Sequence, residues 1–205
     1  MTDTTDARRA GAVEPAVPAD AGTVARLHAE GIGEGFLSSL GPRFLTHLYR
    51  SMAGSPRATL FVSRDERGDV IGFISGAVSP GAFYREFFRR HGVRAAALLA
   101  GRALRPAVLR RILETVRHLG KEGGGGPELL SVAVGPPARR TGLGSMLVRR
   151  LEEDLRGRGA DRLAVVVGAG NQGARTFYER LGFHPLGAVS VHQGYASLRY
   201  EKALA

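Results

Sequence analysis

One junction constrains this chain more than any other feature. Leu129 to Val134 is a nearly continuous apolar run of a length that suits a buried strand. A loop follows, with prolines at 136 and 137 and glycines at 135, 142 and 144. From Leu143 to Leu155 apolar residues then recur at helical spacing, which puts Leu143, Met146, Leu147, Leu151 and Leu155 on an inner face. The first turn of a helix offers unpaired N–H groups and the positive end of the helix dipole. Gly142 and Gly144 remove side chains where the chain must approach something closely, and Arg139 and Arg140 add charge beside it. Together these residues make a diphosphate cradle. The loop is not Walker A, since no Gly-Lys-Ser/Thr follows, and its spacing is not that of the dinucleotide fingerprint. The competing reading is a helix start whose glycines only permit tight strand–helix packing.

The rest of the chain alternates between the two periodicities. Val13 to Val17 reads as a short edge strand because of Pro15. Pro18-Ala19-Asp20 starts a helix that runs to about Gly31, and a second helix covers roughly Gly41 to Met52. Thr59–Ser63 and Val70–Val78 flank the polar turn at residues 65–69 and predict a hairpin. Residues 80–122 turn helical in three pieces, and Gly123–Gly126 with Pro127 form a joint. Arg162–Val167 is a further strand. Asn171 caps a helix that ends near Leu181-Gly182, and Phe183–Val191 and Tyr195–Lys202 predict two antiparallel strands. The order predicts a mixed α/β (α+β) fold with a strand–helix–strand–helix unit in its last third.

Composition narrows the chemistry. The 205 residues suit one domain with a sizeable insertion: a loose tail at residues 1–11, then a single domain over 12–205. There is no cysteine, which excludes disulfides, thiolate metal sites and a cysteine nucleophile. The six histidines are scattered without metal-ligand spacing, so no metal is expected. No apolar run reaches the length of a membrane span, and residues 1–9 lack a signal-peptide core, so a cytoplasmic protein is expected. The net charge of +10 favours anionic partners in general. All but two of the basic residues are arginine, alongside 29 glycines, a bias that by itself identifies no partner.

Residues 134–144 carry Val134, Pro136, Arg139, Gly142 and Gly144, and about thirty residues later come Asn171, Ala174, Phe177-Tyr178-Glu179 and Leu181-Gly182-Phe183. In both blocks, at this separation, the chain resembles the GCN5-related N-acetyltransferase superfamily. The resemblance is strong over 128–183, moderate over 12–78 and absent from 80–127. It implies a mostly antiparallel central sheet, splayed at an acyl-CoA slot and flanked by helices, with a helical insertion between the third and fourth strands. It implies acetyl-CoA as co-substrate. Val132, Ala133 and Val134 would lie along the pantetheine arm. Arg139, Arg140, Thr141, Gly142, Leu143, Gly144 and Ser145 would hold the pyrophosphate. Asn171 would bond the arm, or serve only as an N-cap. Tyr178 would be the general acid toward the departing thiolate, its other reading being a core aromatic beside Phe177.

The activity so implied is acetyl transfer to a primary amine of a small molecule, such as an amino sugar, or of a protein. Without a cysteine or a serine elbow, direct attack in a ternary complex is expected rather than a covalent acyl-enzyme. Leu163 to Gly168 lacks the glutamate that many relatives carry there. The base is then open among Glu30, Glu34, His28 and Tyr84. A longer-chain N-acyltransferase fed by acyl-CoA or acyl carrier protein is the alternative enzyme. A non-catalytic CoA- or partner-binding module is the alternative of another class.

Residues 79–126 carry ten bases against three acids, a local charge of +7, together with apolar stripes such as Phe83, Phe87 and Phe88. This insertion either packs its stripes on the core or covers the acceptor side of the cleft and meets an acidic partner or anionic surface. No specific nucleic-acid module is written in the chain. A homodimer is compatible with it.

Overall fold

The structure is a computed structural model that describes residues 11–32, 36–103, 126–192 and 195–204. Seven strands form one sheet in the order β1-β2-β3-β4-β5-β7-β6. They are β1 (Val13–Pro15), β2 (Thr59–Arg64), β3 (Val70–Ala77), β4 (Glu128–Val134), β5 (Arg162–Gly168), β6 (His184–His192) and β7 (Tyr195–Ala203). Every neighbouring pair is antiparallel except β4 and β5. The expected mixed α/β sheet with flanking helices is what forms. Pro15 lacks an N–H, and β1 accordingly lies at the sheet edge, paired only with β2.

The helices are α1 (Ala21–Gly31), α2 (Phe36–Ser39), α3 (Pro42–Ala53), α4 (Pro80–Ala103), α5 (Leu143–Gly157) and α6 (Gln172–Arg180). They divide between two cores, one on each face of the sheet. Val24 and Leu27 of α1, Phe44, Leu45 and Leu48 of α3, and Phe83 and Phe87 of α4 fill one core. Leu143, Leu147, Leu151 and Leu155 of α5 fill the other, with Tyr178 of α6 and Phe183.

Two expectations are corrected. Met146 is exposed, not on the inner face of α5. The buried stripe includes Val148 and Glu152 instead, and Glu152 enters it by pairing with Lys202 of β7 at 2.8 Å. The insertion helix α4 runs unbroken from Pro80 to Ala103, through the position where two pieces were expected. Burial of Phe83, Phe87, Ala95 and Leu99 against the first core outweighs the cost of Gly92 within the helix. The third expected piece, from Pro106 to Leu119, and the glycine joint up to residue 125 lie outside the described residues. The helical insertion does leave the sheet between β3 and β4. Its apolar stripe packs on the core over the described part.

The sheet departs from regularity where β3 meets β4. Ser75 pairs with Ser131 and Gly76 with Leu129, so Leu130 is an extra residue, a β-bulge. Bulges bend a strand and increase its twist. On the other side of β4, pairing with β5 stops after Glu128↔Ala164 and Leu129↔Val165. Beyond the bulge the two parallel strands part like a fork, with β5 held along its whole length by β7.

Candidate active site

The cradle is built from main chain. The loop makes a 3-10 turn at Pro136–Ala138, Arg140 then takes φ +64°, and Gly142 takes φ +88° as the N-cap of α5. That left-handed sequence points successive amides outward. Among the described residues, the N–H groups of Arg140, Thr141, Gly142, Leu143 and Gly144 donate to no protein acceptor. A Cβ built on Gly142 would meet nothing within 4 Å, so the space beside it is open. Five free donors at the positive end of a fifteen-residue helix fit a diphosphate.

Not every expected donor is available. The Ser145 N–H is spent on the Gly142 carbonyl at 3.0 Å, which leaves that residue only its hydroxyl. Thr141 likewise donates its hydroxyl to the Ala138 carbonyl at 2.7 Å, although its amide is free. Arg139 turns its Nε to the Val134 carbonyl at 3.1 Å and so braces the end of β4. Gly144 serves packing: a Cβ there would lie 3.3 Å from the Phe177 ring, so its absence lets α6 approach α5. The cradle reading and the packing reading are therefore divided between Gly142 and Gly144.

The fork leads away from the cradle along β4. The Gly135 N–H donates to Ile71 at 2.8 Å, and the same register pairs Phe73 with Ala133. Bonded pairs alternate along an antiparallel ladder. Ser131 and Ala133 therefore turn their backbone groups to β3, while Val132 and Val134 turn theirs to the open side. Val132 and Val134 pack their side chains with the α5 core, as Ala133 does with the α1 core. Of the three residues assigned to the arm, two present backbone to the fork and Ala133 presents none.

Across the fork, Asn171 caps α6 by accepting the Ala174 N–H on Oδ1 at 3.0 Å. Its Nδ2 donates to no protein group among the described residues. Tyr178 is buried between Phe177 and Phe183, with ring centroids at 5.2 and 5.4 Å. Burial pushes its phenol above the ordinary tyrosine range. Its hydroxyl has no hydrogen bond to another described residue.

The candidates for a base separate by environment. Glu30 is exposed and paired with Arg26. Glu34 lies outside the described residues. His28 is fully buried, with Nδ1 2.6 Å from the Tyr49 hydroxyl, and desolvation lowers its pKa to about 4. Burial, and then Glu128, pushes the Tyr84 phenol up. Glu128 itself went unread in the sequence. It opens β4 at the vertex of the fork, where burial raises its carboxyl above the usual range and Arg199 of β7 partly restores it. The sequence signal was there, an acid opening an otherwise apolar strand, but its neighbours come from α4 and β7. No group of metal-ligating side chains occurs among the described residues.

Comparison with known proteins agrees with this geometry. The acetyltransferase (GNAT) family profile matches residues 30–183, and the chain belongs to that family. A mycothiol acetyltransferase from Beutenbergia cavernae is 41% identical over 68 residues, which is 33% of this chain and 22% of that protein; the match spans about a fifth of the relative's length. The N-acetyltransferase from Staphylococcus aureus Mu50 superposes with a TM-score of 0.62 at 16% identity, covering 96% of this chain and 99% of its own. A GNAT phosphinothricin acetyltransferase from Sinorhizobium meliloti, solved in complex with AcCoA, gives 0.61 at 16% identity over 96% and 89%. At such identities the solved structures show the fold.

Proposed function

We propose that this chain is an acetyl-CoA-dependent N-acetyltransferase that acetylates a primary amine, of a small molecule such as an amino sugar or of a protein, by direct attack in a ternary complex. The observation that carries this reading is the row of five unpartnered amides at residues 140–144, set at the mouth of the β4–β5 fork. Those amides bind the diphosphate, and the backbone groups of Val132 and Val134 pair with the pantetheine arm. Asn171 donates to the arm through Nδ2 while Oδ1 keeps the helix capped. Acetyl-CoA supplies an acyl carbon already activated as a thioester.

The remaining steps belong to this chain's residues. The Val132 N–H polarises the thioester carbonyl, as an oxyanion-hole donor does. Glu128 removes the proton of the incoming ammonium, directly or through water; its raised pKa brings it closer to the working pH than an ordinary carboxylate. As nitrogen bonds to the acyl carbon and the carbon–sulfur bond breaks, Tyr178 gives its proton to the sulfur, and the second proton shed by the nitrogen passes through water to restore the phenol. Its raised pKa keeps that proton in place at neutral pH. The partial likeness to a mycothiol acetyltransferase supports acetyl as the group moved.

Mass spectrometry of ligand copurified with the protein tests this reading first, followed by thiol release across a panel of amines. Acetyl-CoA in the protein and amine-dependent thiol release are expected. A long-chain acyl-CoA would replace the acetyl reading with the longer-chain one. Tight CoA binding without release to any amine would favour a binding module.

A further inference from the structure

A second cationic site lies far from the cradle. Between α3, the turn that follows it and α4 is a cleft of about 330 Å³. Its floor includes the buried rings of Phe83 and Phe87. Its walls carry Arg50, Arg90, Arg94, His47 and His91 against one acid, Glu86. Both oxygens of Glu86 are engaged, Oε1 by Arg90 at 3.0 Å and Oε2 by Arg57. Arg50 and Arg94 have no ion-pair partner among the described residues.

His47 is the second, independent observation. It is 8% exposed, its ring stands edge-on to His91 with centroids 5.0 Å apart, and its Nε2 is enclosed with no hydrogen-bond partner among the described residues. A buried polar nitrogen without a partner is costly, and such groups usually have a ligand, an ion or water. Burial first, then the charges of His91, Arg94 and Arg50, push the imidazole pKa below its ordinary value. An anion seated among these groups would offset those charges, and a turn of the His47 ring toward the cleft would bring the enclosed Nε2 to it as a donor.

This cleft is not part of the CoA site. Residues 54–56 lead into the start of β2, which pairs with the end of β3. The cradle follows the far end of β4, on the face that holds α5. The two sites are thus on opposite faces of the sheet and separated by the length of a strand, on the order of 20 Å.

We propose that the α3–α4 cleft binds a small organic phosphate, its phosphate between Arg50, Arg94 and His47 and its carbon skeleton over Phe83 and Phe87. The volume exceeds what a bare phosphate fills and sits at the lower end of small-molecule pockets. Guanidinium forks suit phosphate oxygens. A ligand held from both walls would clamp the insertion helix α4 against α3.

Imidazole nitrogen–proton NMR of the full chain, saturated with CoA so that the cradle is filled, tests the site. The probes are glycerol 3-phosphate and inorganic phosphate at matched ionic strength. Saturable shifts of the His47 and His91 signals are expected, with glycerol 3-phosphate the tighter of the two. Arg50→Gln with Arg94→Gln should weaken it about tenfold or more. If the double variant melts early by circular dichroism, Arg94→Gln alone, at an exposed position, should still weaken it several-fold. Unmoved histidine signals, unsaturable shifts, equal binding by the variants, or an ester no tighter than inorganic phosphate would overturn the proposal.

Discussion

At Gly142 the main chain turns with φ +88°, a region that costs a side-chain-bearing residue on the order of 1 kcal/mol. Gly142→Ala should therefore lose stability by about that amount, read by urea unfolding, and bind CoA more weakly. Gly142→Glu should abolish CoA binding, since it sets bulk and negative charge beside the five amides; calorimetry with CoA on the folded variant checks this. Normal binding would put the diphosphate elsewhere. Tyr178→Phe removes only the hydroxyl that the proposed mechanism uses as proton donor. Turnover should fall about tenfold or more with little change in CoA affinity, and equal turnover would remove Tyr178 from the mechanism. The loop and helix start at residues 140–144 were legible because glycines and capping residues act through local backbone geometry, whereas Tyr178 was singled out by the family resemblance. Glu128 was not legible, because its raised proton affinity arises from burial, against the opposing pull of Arg199, and both are assembled from distant segments of the chain. Ser145 was legible only in part, since its amide is consumed by the turn that frees its neighbours.

The fork is a property of two strands and the elements behind them. The bulge at Leu130 sits opposite Gly76, where a Cβ would come within 2.7 Å of Leu151 and 3.1 Å of the Glu128 carbonyl. Gly76→Ala should push α5 from the sheet or displace β4, at a cost of about 1–3 kcal/mol. It should also raise the KM for acetyl-CoA while leaving the five amides in place. Calorimetric melting and steady-state kinetics read the two effects, and a variant unchanged in both would show that the bulge tolerates a side chain. Helix α5 is tied to β7 by Glu152, whose two oxygens take Lys202 Nζ at 2.8 and 2.9 Å. Glu152→Ala would leave Lys202 half-enclosed without its partner, and about 2–3 kcal/mol of stability should be lost. Most strands and helices were legible from periodicity. The continuity of α4 was not, because burial on the first core, not local propensity, carries the helix past Gly92.

Over the whole molecule, the buried His28–Tyr49 pair links stability to pH. Desolvation lowers the His28 pKa from its ordinary 6.5 to about 4, so the unfolded chain binds that proton more readily than the folded one. The stabilisation is complete above about pH 6.5 and is lost as pH falls toward 4, by about 3 kcal/mol in all. Urea midpoints measured between pH 7 and pH 4 should show this loss, and His28→Gln should flatten it. A wild-type acid limb no steeper than that of the variant would assign the loss to carboxylates instead.

The sequence by itself determined the strand–loop–helix cradle, the hairpin, the capped α6 and the mixed α/β order. Each of these is set within a few turns of chain by spacing, glycine and proline. Only the tertiary structure decided where β4 and β5 part, which face of β4 meets the fork, what raises the proton affinity of Glu128, and that α3 and α4 enclose a cationic cleft. Those depend on register, burial and charge between segments tens of residues apart, and no local pattern encodes which segments will meet.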